Sequence, residues 1–278
     1  MSTSSVVPVE HWRLGADSAR QDAARERPGA APRGSDHIAA EVPVAMTYNR
    51  HAHVVMMATP DDFEDFGLGF SLTEGIIGSA SDLLSVKVLP RDGGVELAMT
   101  ITEAWYDRLQ TQRRNMTGRT GCGLCGAERI DQALRYPEAV ENRVQVSHRA
   151  LQRAVSDMTA HQPLQSVTGA THGAAWCDLS GEVVELREDV GRHNALDKLI
   201  GCLARAGFDP QQGFVLVSSR ASYEMVYKAA AVGMEVIMAV SAPTTLAVDF
   251  AQRSGMTLVG FARPGRHNIY TFPDRIQD

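Results

Sequence analysis

The fold is decided by residues 214–261, FVLVSSRASYEMVYKAAAVGMEVIMAVSAPTTLAVDFAQRSGMTLVGF, in which short apolar runs alternate with amphipathic segments. The apolar runs predict strands, and the segments between them predict helices that each end at a glycine: strands 214–218, 236–240 and 257–261, helices 223–232 and 244–254. Nearly all-apolar strands joined by crossover helices are typical of a parallel sheet that is covered on both faces. We therefore predict an α/β fold with a three-layer α/β/α C-terminal domain.

The residues before this stretch predict a further helix and a smaller N-terminal α+β unit. The helix, over 194–206, has an apolar stripe and ends at Gly207. In the N-terminal unit, Thr59 is predicted to cap a helix that begins at Pro60 and ends at Thr73 or Gly75. The β-rich runs of this unit are 41–46, 53–57, 85–89 and 95–101. The predicted domains are a disordered leader at 1–36, an N-terminal α+β domain at 37–111, a mobile loop at 112–130 and an α/β domain at 131–278.

Bulk composition argues against several classes of protein. The formal charge of -6 and the pI near 5.9 give no basic surface for nucleic acid or for an anionic membrane. No apolar run approaches the ~18 to 20 residues of a membrane span, and we find no signal peptide at the N-terminus. We expect a cytoplasmic protein without a disulfide framework, since the chain has only four cysteines.

Polar residues follow each predicted strand of the parallel sheet, at the edge where such sheets bind ligands. Two of these loops lead into helix N-termini, which attract phosphate, and two carry arginines. The candidate binding residues in the first two loops are Ser218, Arg220, Ser241 and Thr244. The third loop runs over 262–267 and adds Arg263 and Arg266. The alternative is that the serines and threonines only cap their helices. Together the loops favour a site for a phosphorylated ligand.

Two further polar clusters contain histidines. His172 lies in the glycine-rich and threonine-rich turn 168–173, and His193 lies in the helix entry 188–194, EDVGRHN. Both histidines are candidate binding residues. The alternatives are that His172 is a structural histidine, that Asp189 or Asn194 caps a helix, and that Arg192 pairs with Glu188.

The chemistry is indicated by the pair Cys122 and Cys125 in TGCGLCG, at 120–126. Their spacing occurs in zinc sites, disulfide oxidoreductases and sulfur carriers, and does not by itself choose among them. A structural zinc site needs a second ligand pair, which the chain lacks, because Cys177 and Cys202 stand alone. A redox motif should open a helix after a strand, whereas this pair lies among glycines. Nearby arginines would favour the thiolate, so the pair is best interpreted as a thiol carrier.

Several segments resemble the FdhD family in order along the chain. They are EVPVAMTYN from Glu41, HVVMMATPDDFEDFGLGFSLTEGII from His53, TGCGLCG from Thr120, TGATHGAAWCD from Thr168, EDVGRHNALDKLIG from Glu188, SSRASYEMVYKAA from Ser218, SAPTTLAV from Ser241 and GFARPGRHNIY from Gly260.

The resemblance implies a cytidine-deaminase-like core and a sulfurtransferase with a cysteine persulfide intermediate. The sulfur would come from a cysteine desulfurase and go to the molybdenum cofactor of formate dehydrogenase, Mo-bis(molybdopterin guanine dinucleotide), which is bound as a substrate without a permanent metal. Cys122 would carry the persulfide, with Cys125 as its partner. The cofactor-binding stretch, including its guanine nucleotides, would be Phe261, Ala262, Arg263, Pro264, Gly265 and Arg266. A homodimer is also implied.

Two rival functions come from other classes of protein. A zinc hydrolase of the deaminase type needs a His-x-Glu motif, and the chain has none, since His172 is followed by Gly173 and Ala174. A noncatalytic chaperone that only binds the cofactor or the apo-enzyme should work without Cys122 and Cys125.

Overall fold

A computed structural model describes residues 1–10, 33–115, 139–141 and 143–278. Within these ranges the chain is a mixed α/β protein, as predicted, and it contains no helix that is both long and apolar enough to cross a membrane. The helices are α1 (Phe63–Thr73), α2 (Glu103–Asn115), α3 (His148–Met158), α4 (Pro163–Thr168), α5 (Arg192–Ala206), α6 (Tyr223–Ala231) and α7 (Thr245–Arg253).

The described strands are β1 (Ser4–Glu10), β2 (Arg33–Ala39), β3 (Val42–Tyr48), β4 (His51–Ala58), β5 (Leu83–Arg91), β6 (Gly94–Ile101), β7 (Val146–Ser147), β8 (His172–Asp178), β9 (Val183–Asp189), β10 (Gly213–Val217), β11 (Val236–Ala239), β12 (Thr257–Arg263), β13 (Arg266–Ile269) and β14 (Ile276–Gln277). Residues 4–10 and 33–36, inside the predicted disordered leader, lie in the antiparallel pair β1 and β2.

The largest sheet has the order β13-β12-β11-β10-β8-β9. Its three strands from the stretch 214–261 are parallel, as predicted. The sheet extends beyond the predicted parallel strands at both edges, where β8, β9 and β13 run antiparallel to their neighbours. Short turns join β8 to β9 and β12 to β13, and a short turn can only join antiparallel strands. Strand β8 pairs antiparallel with β10 although β9 and α5 lie between them in the chain.

Both faces of this sheet are covered. Along β10, Val215 and Val217 face a core formed with α5, α6 and α7, whereas Phe214 and Leu216 face a second core formed with α3. All four side chains are at most 1% exposed. The strand is therefore apolar throughout because each of its faces packs against helices.

The N-terminal unit is a four-stranded sheet of order β4-β3-β6-β5 with α1 packed on one face. The predicted cap at Thr59 is wrong: α1 begins at Phe63 after Asp62, and Thr59 instead receives a hydrogen bond from the Val190 N–H at 3.1 Å. A contact in the C-terminal unit takes the place of the cap.

Helices α1 and α5 join the two units at very short range. A methyl group at Gly69 would lie 1.7 Å from the Asp197 carbonyl oxygen, and one at Gly201 would lie 1.9 Å from that of Asp65. The helices can approach this closely only because both positions lack a Cβ. Beside this crossing, Lys228 of α6 bonds to Asp197 at 3.0 Å and to Thr73 of α1 at 2.9 Å.

Candidate functional site

The loops that follow β10, β11 and β12 lie side by side at the carboxyl edge of the parallel strands. The Thr244 N–H donates to the Ala221 carbonyl at 3.0 Å, and the Phe261 N–H donates to the Ser241 carbonyl at 3.0 Å. The structure thus brings together Ser218, Arg220, Ser241, Thr244 and Phe261, which the sequence analysis selected from three separate loops. Arg220 is exposed at this edge.

The hydroxyl groups of this edge are partly used by the fold. Thr244 Oγ1 accepts from the Ala247 N–H at 3.2 Å and caps α7, which is the alternative considered for these residues. Ser218 Oγ accepts from the Gly173 N–H at 2.9 Å and so joins β10 to β8. Both hydroxyl oxygens therefore accept a hydrogen bond within the protein, and neither depends on a ligand for a partner.

The third loop forms the turn of a β-hairpin instead of leading into a helix. Strand β12 continues to Arg263, and β13 returns from Arg266, with Gly265 at φ 81° in the turn. Both arginines are exposed, and they lie opposite each other in the register of β12 and β13. Ala262 is 0% exposed and packs in the core on the α3 side, so its side chain is turned away from a ligand at the surface.

Phe261 has an unusual backbone for a residue that is not glycine, with φ at 51°. The residue is 42% exposed, and it lies at the irregularity in the β12–β13 register. An exposed aromatic ring beside two arginines is a surface on which a planar group can stack.

Residues of α3 hold the hairpin tip. Gln152 Oε1 accepts from the Gly265 N–H at 2.6 Å, and Gln152 Nε2 donates to His267 Nδ1 at 2.9 Å. The proton of neutral His267 is then on Nε2, which donates to His148 Nδ1 at 2.9 Å, and the two imidazoles are stacked. Burial, and then His148, lower the pKa of His267. Sequence reasoning missed Gln152 and His148, because nothing local relates them to a hairpin more than a hundred residues away.

His172 and His193 lie near each other at the adjacent end of β8. His172 lies opposite Asp189 in the antiparallel register of β8 and β9. Burial, followed by the nearby Arg192 and His193, lowers the pKa of His172, so this imidazole is neutral at neutral pH.

His193 Nε2 lies 3.5 Å from a carboxylate oxygen of Glu224, which also receives the Ser222 hydroxyl at 2.9 Å. Contact with His193 is the main reason that the pKa of Glu224 falls to about 2. Glu224, in the first turn of α6, was not selected from the sequence. Acidic residues are common in the first turn of a helix, so the sequence alone did not mark Glu224 as a site residue.

The polar segment 188–194 is mainly structural. Asp189 is 0% exposed and accepts hydrogen bonds from the N–H groups of Thr59 and Gly191, at 3.0 and 2.7 Å, and from the Asn194 side chain at 3.0 Å. Its fourth contact is Lys198 Nζ at 2.8 Å. These bonds attach the end of β4 to the start of α5 and fix the backbone that carries His193.

Glu188 does not make the pairing considered for it with Arg192. Its carboxylate accepts from the N–H groups of Leu164 and Gln165, at 2.8 and 2.7 Å, and from the Thr171 hydroxyl at 2.9 Å. Glu188 therefore anchors the start of α4 and the turn that precedes His172.

The cysteines divide into two groups. Cys122 and Cys125, the predicted carrier pair, lie outside the described residues. Cys177 and Cys202 are buried, at 0% and 8% exposure, as predicted. Burial raises the pKa of both thiols, which disfavours the reactive thiolate at these positions.

The chain is similar to known proteins along most of its length. A family model described as the FdhD/NarQ family matches residues 39–277. The chain is 50% identical over 242 residues to "Sulfur carrier protein FdhD" of Cupriavidus necator, covering 87% of this chain and 84% of the relative. It is 48% identical over 252 residues to the protein of the same name from Xanthomonas euvesicatoria, covering 91% and 90%.

A solved structure is also similar. A crystal structure described as a formate dehydrogenase accessory protein of Desulfotalea psychrophila superposes with a TM-score of 0.73 and 25% sequence identity, over 99% of this chain and 100% of that one. Because the family model matches residues 39–277 and the two relatives named FdhD are 48–50% identical over most of both chains, the chain belongs to the FdhD/NarQ family.

Proposed function

We propose that this protein is a sulfur carrier that acts in the maturation of formate dehydrogenase. The observation that carries the proposal is the 48–50% identity, over more than four fifths of both chains, to relatives named sulfur carrier protein FdhD. The structural relative described as a formate dehydrogenase accessory protein supports the same role. Helices on both faces of the large sheet support a cytidine-deaminase-like core.

The first chemical step is capture of sulfur by Cys122. Its thiolate attacks the terminal sulfur of a cysteine persulfide on the desulfurase, the sulfur–sulfur bond of the donor breaks, and the donor cysteine leaves as a thiolate. Cys122 then holds the sulfur as a persulfide, and no electrons are gained or lost by the pair of proteins.

The second step is delivery to the molybdenum cofactor. Reduction of the outer persulfide sulfur to sulfide takes up two electrons, and exchange of this sulfide for an oxygen ligand of the cofactor would release water. The Cys125 thiol supplies them by closing a disulfide with Cys122, so that persulfide, thiol and oxygen ligand give disulfide, sulfide ligand and water. A reductant of the thioredoxin class then restores both thiols.

The cofactor carries two guanine nucleotides, and its phosphates suit the carboxyl edge of the large sheet. Arg263 and Arg266 are exposed on the hairpin, Arg220 is exposed two strands away, and the N-termini of α6 and α7 open at the same edge. A cytoplasmic location and a homodimer are part of the same proposal.

The test is intact-mass analysis after incubation with a cysteine desulfurase and cysteine. We expect a gain of one sulfur atom, mapped to the peptide that contains Cys122, and loss of this gain in Cys122→Ala. Cys177→Ala is the matched control, since its buried thiol should not affect loading. Formate dehydrogenase activation should be lost in Cys122→Ala. Full activation by that variant would refute the carrier and leave the noncatalytic chaperone.

A further inference from the structure

Three side chains form a directional series of hydrogen bonds between α3 and the tip of the β12–β13 hairpin. The Gly265 N–H can only donate, so it fixes Gln152 Oε1 as its acceptor, at 2.6 Å. Gln152 Nε2 then donates to His267 Nδ1, and His267 Nε2–H donates to His148 Nδ1, both at 2.9 Å. These side chains, Gln152, His148 and His267, are called the histidine anchor below.

The direction of these bonds requires both imidazoles to be neutral. A proton added at His267 Nδ1 places two donors face to face at the contact with Gln152, and a proton added at His148 Nδ1 does the same between the two histidines. A tautomer shift of His267 or a turn of the Gln152 amide only moves this conflict along the series, until the amide nitrogen faces the Gly265 N–H. One added proton therefore breaks one bond of the histidine anchor in every arrangement.

The packing of the two rings also disfavours an added charge. The imidazoles are stacked with their centroids 5.1 Å apart, and both residues are partly buried. Burial, followed by the nearby His148, lowers the pKa of His267. In a hairpin that has left α3, the same imidazole returns to its ordinary pKa of about 6.5. Opening of the hairpin therefore takes up a proton, and a falling pH favours it.

The surrounding charges do not compensate for a proton on the histidine anchor. The acidic side chains of the helices and hairpins that pack on α3 or on β12 and β13 bind other groups; they are Asp157, Asp178, Glu182, Glu185, Glu188, Asp189 and Asp249. Strands β7 and β14, at the start of α3, contain no charged residue. Arg263 and Arg266 of the hairpin and Arg149 of α3 are exposed. Protonation thus adds positive charge to a surface that already carries three arginines.

We propose that the histidine anchor is a pH-dependent latch, which holds the hairpin of Arg263 and Arg266 against α3 while both histidines are neutral and releases it when the pair takes up a proton. The inference goes beyond the proposed function, because it concerns the position of the two arginines and holds for any group that they bind.

Hydrogen exchange of the Gly265 amide, followed by NMR on the full chain from about pH 8 to about pH 5, tests the latch. Protection is corrected for the intrinsic exchange rate at each pH. We expect it to fall by up to roughly tenfold per pH unit below about pH 6.5, the slope for one proton taken up on opening. Constant protection over this range overturns the proposal.

Gln152→Glu separates the latch from a purely structural bond. Its carboxylate can accept from the Gly265 N–H and from a protonated His267 together, so protection should be kept or should rise as the pH falls to about 5. His161→Gln is the matched control, since His161 is exposed in the turn after α3 and bonds to the Asp157 carbonyl oxygen at 3.0 Å. This variant should keep the wild-type pH dependence. A fall in Gln152→Glu as steep as in the wild type contradicts the latch.

The nitrogen chemical shifts of the imidazoles in the wild type give a second readout, which does not depend on the folding of a variant. At about pH 8 His267 should be neutral with its proton on Nε2, and its protonation should coincide with the loss of Gly265 protection. A proton on Nδ1 at this pH would overturn the direction of the bonds and the latch with it.

Discussion

Replacing Lys198 by Met should strongly destabilise the protein. Lys198 and Asp189 are both 0% exposed, and Lys198 Nζ lies 2.8 Å from the carboxylate and 3.0 Å from the Thr59 carbonyl oxygen. The substitution leaves the Asp189 carboxylate buried without a positive charge, which typically costs about 3 to 5 kcal/mol. Three N–H donors remain on that carboxylate, so we expect a loss near the lower end, about 3 kcal/mol.

The assay is urea unfolding followed by tryptophan fluorescence. The matched control is Arg143→Ala, which removes an ion pair with Glu141 whose side chains are 62% and 60% exposed, and which should cost at most about 1 kcal/mol. Adding Asp189→Asn to Lys198→Met should cost less than the sum of the single changes, by about 1 to 3 kcal/mol. A stability of Lys198→Met within about 1 kcal/mol of the wild type would refute the reasoning.

Three further predictions concern other contacts. The pKa of Glu224 is about 2 in the folded protein against 4.5 ordinarily, so its contribution to stability is present above pH 4.5 and is lost as the pH falls toward 2. Because the Glu224 side chain is 37% exposed, screening by solvent limits this contribution to about 1 kcal/mol or less. The free energies of unfolding of the wild type and of Glu224→Gln should therefore converge as the pH is lowered. Gly201→Ala places a methyl group 1.9 Å from the Asp65 carbonyl oxygen and should cost about 1 to 3 kcal/mol or more in denaturant unfolding. Gly67→Ala should cost less, because the nearest atom to the added methyl group is Met99 Sδ, at 3.0 Å on a flexible side chain, and equal losses would contradict the close crossing. Gln152→Leu removes the acceptor for the Gly265 N–H, so hydrogen exchange at the hairpin tip should become faster, and unchanged exchange would argue against the anchoring role.

The strands and helices of 214–261 could be predicted because their signals are local. Apolar runs of strand length and helices that end at glycines appear within a few residues of each other, and the structure has β10, α6, β11, α7 and β12 close to the predicted ranges. The parallel order of these strands follows from the crossover helices. The meeting of their loops at one edge follows from the same topology.

The partners of the polar side chains could not be predicted. Asp189 and Glu188 were considered as a helix cap and as an ion-pair partner of Arg192, yet their carboxylates accept hydrogen bonds from the backbone of Thr59, just after β4, and of Leu164 in α4. A side chain shows from its type that it needs a partner, but only the packing of distant segments decides which partner it meets. The same holds for Gln152 with the hairpin, 113 residues away, and for the Gln162 amide that is left unpaired among the described residues.

The amino-acid sequence by itself determined the alternation of strands and helices, the edge where the binding loops meet and the family of the chain, because these depend on local periodicity and on motifs. The tertiary structure decided the antiparallel edges of the sheet, the buried bonds between the two units and the contacts of α3 that hold the hairpin of β12 and β13. These depend on contacts between residues far apart in the chain, whose distances and burial arise only when the helices pack on the sheets.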